Sequence, residues 1–296
     1  MPNLRIIYRP SPSSRSGEYG FPLACSLYRG CTGGCKYCFA PATVRLDKAE
    51  FHESPRPREG ALKKFASDLG DLAREGSRER VLLSFTTDPF QPLEAAYGLT
   101  TRALRLCHAY ERPVAVLTKF GTAACEAFAL LEKTSGWFGT SLVWDSERKR
   151  EEWEHGTAPL ASRCTAIAHA VSCGIYTWAS VEPVIETAEA LAAIQVLLTL
   201  GVQDIRVGLI EHHPEWREPG DRLLAFGRDL AAVMRDAPGT KWLVKKSLQP
   251  WMPWANARAR SEVMQNHTPS SATEGRSALP GGALRQGMGK REEGPA

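Results

Sequence analysis

Three cysteines, Cys31, Cys35 and Cys38, stand in the run Ser26-Leu27-Tyr28-Arg29-Gly30-Cys31-Thr32-Gly33-Gly34-Cys35-Lys36-Tyr37-Cys38-Phe39-Ala40. Thiolates at C-x3-C-x2-C spacing suit three irons of a [4Fe–4S] cube and leave the fourth iron without a protein ligand. An open iron can bind a small molecule and do chemistry on it, where a fully ligated cluster mostly moves electrons. Gly30, Gly33 and Gly34 suit a loop bent tightly round an inorganic group. The competing reading is a non-catalytic zinc or iron–sulfur binding module, with Cys25 as a fourth ligand. Zinc sites usually pair two short cysteine clips, and no second clip is present. Cys107, Cys125, Cys164 and Cys173 are scattered through apolar, helix-like stretches, where a free cysteine is a small core residue. One cluster is therefore expected.

An alternation of strands and helices surrounds this loop. Short apolar runs predict strands at 22–28, 80–86, 113–118, 138–144, 175–181, 204–210 and 241–244. Helical patterns fall between them at 59–75, 101–110, 122–133, 159–173, 187–200 and 220–235. Strands apolar throughout and alternating with helices indicate a parallel sheet covered on both faces. The expected fold is α/β, a complete or partial (βα) barrel, whose chemistry sits at the C-terminal ends of the strands. The cysteine loop follows the first strand, where that rule wants it. Residues 1–20, rich in Pro, Ser, Arg and Gly, predict an extended arm, 21–254 the core domain, and 255–296 a disordered tail too poor in large apolar residues to order itself.

The chain of 296 residues is 43% hydrophobic with a formal charge of +4, too modest a charge to announce a nucleic-acid binder. Eight cysteines without a signal peptide predict a reducing, cytoplasmic location. No apolar run reaches membrane-spanning length.

The cysteine motif resembles that of the radical S-adenosylmethionine (radical SAM) superfamily. Further strand-end motifs resemble its spore photoproduct lyase-like (DNA repair photolyase-like) subgroup. They are Thr86-Thr87-Asp88-Pro89-Phe90-Gln91-Pro92, Thr118-Lys119, Glu154-His155-Gly156-Thr157-Ala158-Pro159 with Arg163, Glu182-Pro183-Val184-Ile185, and the late Val207-Gly208 and Lys245-Lys246-Ser247 stretches. The resemblance implies a partial (βα)6 TIM-like barrel, and a [4Fe–4S] cluster on Cys31, Cys35 and Cys38. It implies that the open iron chelates S-adenosylmethionine, which is cleaved reductively to a 5′-deoxyadenosyl radical that abstracts hydrogen from a substrate. It places Tyr37 near the adenine and gives Lys119 to the carboxylate of S-adenosylmethionine. Thr86 and Thr87 fall to its sugar or amino acid part, and Ser141, Arg163 and Glu182 complete the cofactor contacts. It implies an external electron donor of the flavodoxin or ferredoxin type and keeps nucleic acid among the candidate substrates. One position departs from the pattern. Phe85 stands where spore photoproduct lyase carries the cysteine that donates a hydrogen atom, which speaks against DNA photoproduct repair.

From the residues themselves, Asp88 before a proline suits an Asx turn or a substrate contact, and Arg163 suits an ion pair with Glu154 or Glu182. His212 and His213 point opposite ways in extended chain, which speaks against one shared metal ion, and their loop is expected near the substrate mouth. Trp242, Trp251 and Trp254 suit packing at the barrel's end.

Overall fold

The computed structural model describes residues 5–12 and 15–252. The expectation of a disordered tail over 255–296, and Trp254, lie outside these residues. Among the described residues nine strands form: β1 (Leu23–Cys25), β2 (Tyr28–Arg29), β3 (Arg56–Pro57), β4 (Val81–Leu83), β5 (Val114–Thr118), β6 (Trp137–Ser141), β7 (Tyr176–Val184), β8 (Asp204–Leu209) and β9 (Lys241–Val244). Seven make one sheet in the order β1-β4-β5-β6-β7-β8-β9, every neighbouring pair parallel. Sheet order follows chain order, as in a wound (βα) barrel. The remaining two strands make an antiparallel ribbon beside the cysteine loop.

All seven expected strands appear, because each is a run apolar enough to be buried on both faces. Some are shorter than the apolar runs. The chain leaves the ladder after Leu83 because the Ser84 hydroxyl donates to the Thr87 carbonyl at 2.8 Å and closes a turn. The six expected helices are also present, at Ala61–Arg74, Leu99–Ala109, a 3-10 turn Gly121–Ala127 running into Phe128–Lys133, Leu160–Ser172, Thr187–Thr199 and Gly220–Asp236. An unexpected one, Glu147–Glu154, precedes the 154–159 segment.

The outer core lies between helices and sheet. Inside the curl of the sheet, Tyr19, Phe21, Ala24, Leu82, Ala115 and Trp178 form a separate apolar plug. The Trp178 ring lies where a Cβ at residue 139 would be, so Gly139 in β6 makes room for it.

Within the described part of residues 1–20, expected as an extended arm, several side chains pack against the core. Ile6 and Ile7 are buried. The fully buried Asp68 carboxylate accepts the backbone N–H groups of Arg5, Ile6 and Ile7 at 2.8–3.0 Å. Tyr8 and Ala24 exchange backbone hydrogen bonds at 2.9 Å. Tyr19 and Phe21 then turn into the interior. The composition had concealed two buried isoleucines and two aromatic plugs among Pro, Ser and Arg. No helix among the described residues is long and apolar enough to cross a membrane.

Candidate active site

The cysteine loop is held by partners from distant segments. The Cys31 N–H donates to the Phe51 carbonyl at 3.0 Å and the Lys36 N–H to the Trp153 carbonyl at 2.9 Å. The Thr32 N–H donates to Gln91 Oε1 at 3.1 Å. The buried Gln91 amide donates in turn to the Gly30 carbonyl (3.2 Å) and Thr87 Oγ1 (2.9 Å), and Thr87 Oγ1 donates to the same carbonyl at 2.7 Å. Two glycines permit the closest approaches. Gly34 has φ +58°, a left-handed conformation, and the His155 imidazole fills the space a side chain would need. Gly156 lies so near the Thr32 carbonyl that a Cβ would overlap it, and its N–H donates to the Gly33 carbonyl at 3.2 Å.

Cys31, Cys35 and Cys38 line one cavity. A Cβ at Gly33 would lie 3.4 Å from Cys31 Sγ and 3.8 Å from Cys35 Sγ, so those sulfurs are no farther apart than the two distances added. Among the described residues no three His, Cys, Asp or Glu side chains converge tightly enough to grip one ion. Three thiols on one cavity wall suit a cube held at three corners. Cys25 sits wholly buried in β1, off the cavity wall, so the fourth-ligand role considered for it is corrected. Burial, with Asp88 adding to it, pushes the Cys31 thiol up to about 12, and burial also raises Cys35 and Cys38. A metal group seated on these thiols would have to displace their protons.

The cavity opens at the C-terminal ends of the parallel strands. Tyr37, Thr86, Thr87, Lys119, Ser141 and Glu182 all lie on its wall beside the three cysteines. Arg163 does not: it is completely buried and forms an ion pair of 2.6 Å with Glu154. It also donates to the carbonyls of Ala158 (3.1 Å) and Ser141 (3.0 Å), and to Thr157 Oγ1 at 2.5 Å. Its expected contact with a cofactor is thus replaced by a supporting one, because all its donors face the protein. Thr87 Oγ1 likewise faces the cysteine loop, while Thr86 Oγ1 sits 2.9 Å from Ser26 Oγ. Among the described residues Ser141 Oγ has no hydrogen-bond partner. Asp88 resolves as the Asx turn: Oδ1 accepts from the Phe90 N–H at 2.9 Å and Thr118 Oγ1 at 2.7 Å, and Oδ2 from the Lys119 N–H at 2.7 Å. Burial raises its carboxyl even so.

Two buried polar clusters frame the cavity. In the first, Glu154 receives the Tyr37 hydroxyl and pairs with Arg163 and with Lys119 Nζ at 3.1 Å. Burial alone would push the Glu154 carboxyl up, but Arg163 and then Lys119 outweigh it and hold it at about 2. In the second, Glu182 accepts from buried Lys245 Nζ at 2.8 and 2.9 Å and from the Tyr19 hydroxyl. The Tyr19 hydroxyl also stands 2.7 Å from Ser180 Oγ. Of the two partners the sequence offered Arg163, Glu154 is the one it meets, and Tyr19 had no signal beyond being an aromatic in a polar stretch. His212 lines the cavity mouth, whereas His213 turns outward, stacks on Trp216 at 3.9 Å and meets Glu215 at 3.0 Å.

No protein-family profile and no curated protein matches the chain. Solved structures do. A spore photoproduct lyase variant with bound AdoMet and dinucleoside spore photoproduct superposes with a TM-score of 0.55 at 17% identity, over 80% of this chain and 65% of that one. Another variant, with dinucleoside spore photoproduct, gives 0.61 at 14% identity over 83% and 80%. SuiB of Streptococcus suis bound to S-adenosylmethionine gives 0.55 at 12% identity over 76% and 51%. The chain thus spans just under two thirds of the first of these and about half of SuiB. At these identities the likeness is one of fold: the chain shares the architecture of spore photoproduct lyase and SuiB.

Proposed function

We propose that the chain is a radical SAM enzyme, with a [4Fe–4S] cluster on Cys31, Cys35 and Cys38 and S-adenosylmethionine as co-substrate. The observation that carries this reading is the convergence of the three cysteines with Tyr37, Thr86, Lys119, Ser141 and Glu182 on one cavity at the strand ends. When bound, the cluster supplies at its open iron the electron that splits S-adenosylmethionine into methionine and a 5′-deoxyadenosyl radical for hydrogen abstraction.

The chain's own residues bind and orient. Ser141 Oγ and the remaining capacity of Thr86 Oγ1 offer hydroxyls to the co-substrate. Lys119 brings a compact ammonium to the wall for a carboxylate, its charge tempered by Glu154. Tyr37 is fixed by its bond to Glu154 and presents a flat ring beside Cys38. Phe85, Leu117 and Phe120 keep the wall apolar, so a reactive carbon is shielded from water.

DNA photoproduct repair is the narrower alternative, and Phe85 on the wall argues against it, since the ring has no S–H to give. An external one-electron donor of the flavodoxin or ferredoxin class and a cytoplasmic setting, where free thiols persist, complete the proposal. Anaerobic reconstitution followed by dithionite and S-adenosylmethionine should yield 5′-deoxyadenosine. A well-folded, iron-loaded sample that yields none refutes the reading. Irradiated DNA added to the same reaction should keep its thymine dimers.

A further inference from the structure

A second cavity opens at the other end of the sheet. Its walls come from the strand starts: Arg80 just before β4, Trp137 opening β6, Tyr176 opening β7, and Lys241 and Trp242 opening β9. Together with its open mouth it encloses about 850 Å³. The Tyr19–Phe21–Trp178 plug separates it from the cavity that holds the cysteines.

Several donors here lack acceptors among the described residues. Arg80 Nη1 donates to the carbonyls of Val114 (2.9 Å) and Ser135 (2.8 Å), and among the described residues its Nε and Nη2 have no partner and no carboxylate pairs with it. Lys241 Nζ, 5.4 Å over the Tyr176 ring, likewise lacks an ion pair among the described residues. The Tyr176 hydroxyl and Trp242 Nε1 are buried without a hydrogen-bond partner. The one carboxylate on the wall, Asp204, is already held by Arg206 at 2.7 and 3.1 Å. An unpaired, half-buried guanidinium and orphaned buried donors are both unfavourable. Two uncompensated cations in one cavity also repel each other. A ligand with several acceptor oxygens and close to two negative charges would relieve all of these at once.

The wall is also aromatic. The Trp137 and Tyr176 rings lie 4.3 Å apart, Arg80 stacks on Trp137 at 4.2 Å, and Phe21 meets Trp137 edge-on at 6.1 Å. We propose that this cavity binds a small phosphomonoester carried on a flat ring, an aryl or nucleoside phosphate. Arg80 and Lys241 take the phosphate, and Tyr176 and Trp242 donate to its oxygens. Phe21, Pro22 and Leu243 supply the apolar part of the wall for the ring. The site owes nothing to the cysteine loop.

Calorimetric titration of the full chain at low ionic strength tests this, with phenyl phosphate, inorganic phosphate and phenol as probes. Phenyl phosphate carries no adenine to enter the other cavity. Saturable one-to-one binding of phenyl phosphate is expected, at least tenfold tighter than inorganic phosphate or phenol. Arg80→Met should weaken it tenfold or more. Lys241→Gln, at an exposed position, should weaken it severalfold, and supplies the test if the Arg80 variant fails to melt cooperatively. No saturable binding by the folded protein overturns the proposal, as does unchanged affinity in Lys241→Gln. Equal affinity for inorganic phosphate overturns the ring contact.

Discussion

Replacing Glu154 with Gln keeps its size and removes the charge that two cations face. Arg163 Nη2 lies 2.6 Å and Lys119 Nζ 3.1 Å from the carboxylate, which is itself wholly buried. Deleting one partner of a buried pair costs roughly 3–5 kcal/mol. Lys119 is partly exposed and can turn to water, and Arg163 keeps the Ala158 and Ser141 carbonyls. The loss should therefore fall near the lower end, about 3 kcal/mol, or roughly 6–12 °C in Tm at 2–4 °C per kcal/mol. Urea unfolding of the metal-free protein, wild type against Glu154→Gln, reads it. The carboxyl titrates at about 2 in the fold against an ordinary value of 4.5, so its stabilisation is complete above pH 4.5 and fades as the pH falls toward 2. The gap between the two proteins should narrow across that window. A gap below about 1 kcal/mol at neutral pH, or one that stays constant down to pH 3, would show that the cations do not depend on Glu154.

Cys35→Ala should abolish cluster-bound iron and 5′-deoxyadenosine formation, whereas Cys25→Ala should leave both in place; iron and sulfide analysis distinguishes them. Gly156→Ala forces a methyl onto the Thr32 carbonyl and should destabilise the fold by about 1–3 kcal/mol, with reconstituted iron falling in parallel. Thr87→Val removes the hydroxyl that binds the Gly30 carbonyl and should lower both stability, by about 1–2 kcal/mol, and cluster occupancy; unchanged occupancy would make Thr87 irrelevant to the loop. Asp68→Ala strips three backbone N–H groups of their acceptor and should speed hydrogen exchange at residues 5–8 while the strand amides of β5 and β6 stay protected.

The strands and six helices were legible because each is a continuous apolar run or a 3.6-residue pattern, the two signals burial leaves in a sequence. Helix Glu147–Glu154 was not: Glu147-Arg148-Lys149-Arg150-Glu151-Glu152-Trp153-Glu154 carries almost no apolar stripe. Its place comes from ion pairs and from Trp153 packing on Trp144 and Trp216. The site residues were legible as chemical types at strand ends. Which way each one faces was not. Thr86 and Thr87 are neighbours with the same side chain, yet one hydroxyl meets Ser26 and the other grips the cysteine loop. Arg163 showed its charge but not its depth, since only the folded helix Leu160–Ser172 puts it behind the wall. Tyr19 was lost in a stretch whose Pro, Ser and Arg content suggested solvent.

The ties around the cysteine loop carry a lesson about assembly. Its hydrogen-bond partners lie at residues 51, 87, 91, 153 and 156, far along the chain. Contacts across such separations form only after the intervening segments have come together. A nascent chain that has just emitted its cysteines therefore has no receptacle for inorganic sulfide and iron. Unlike a zinc finger, which the ion itself organises, this loop would take up the proposed cluster only after the rest of the domain has folded, and a delivery system would have to recognise the folded protein.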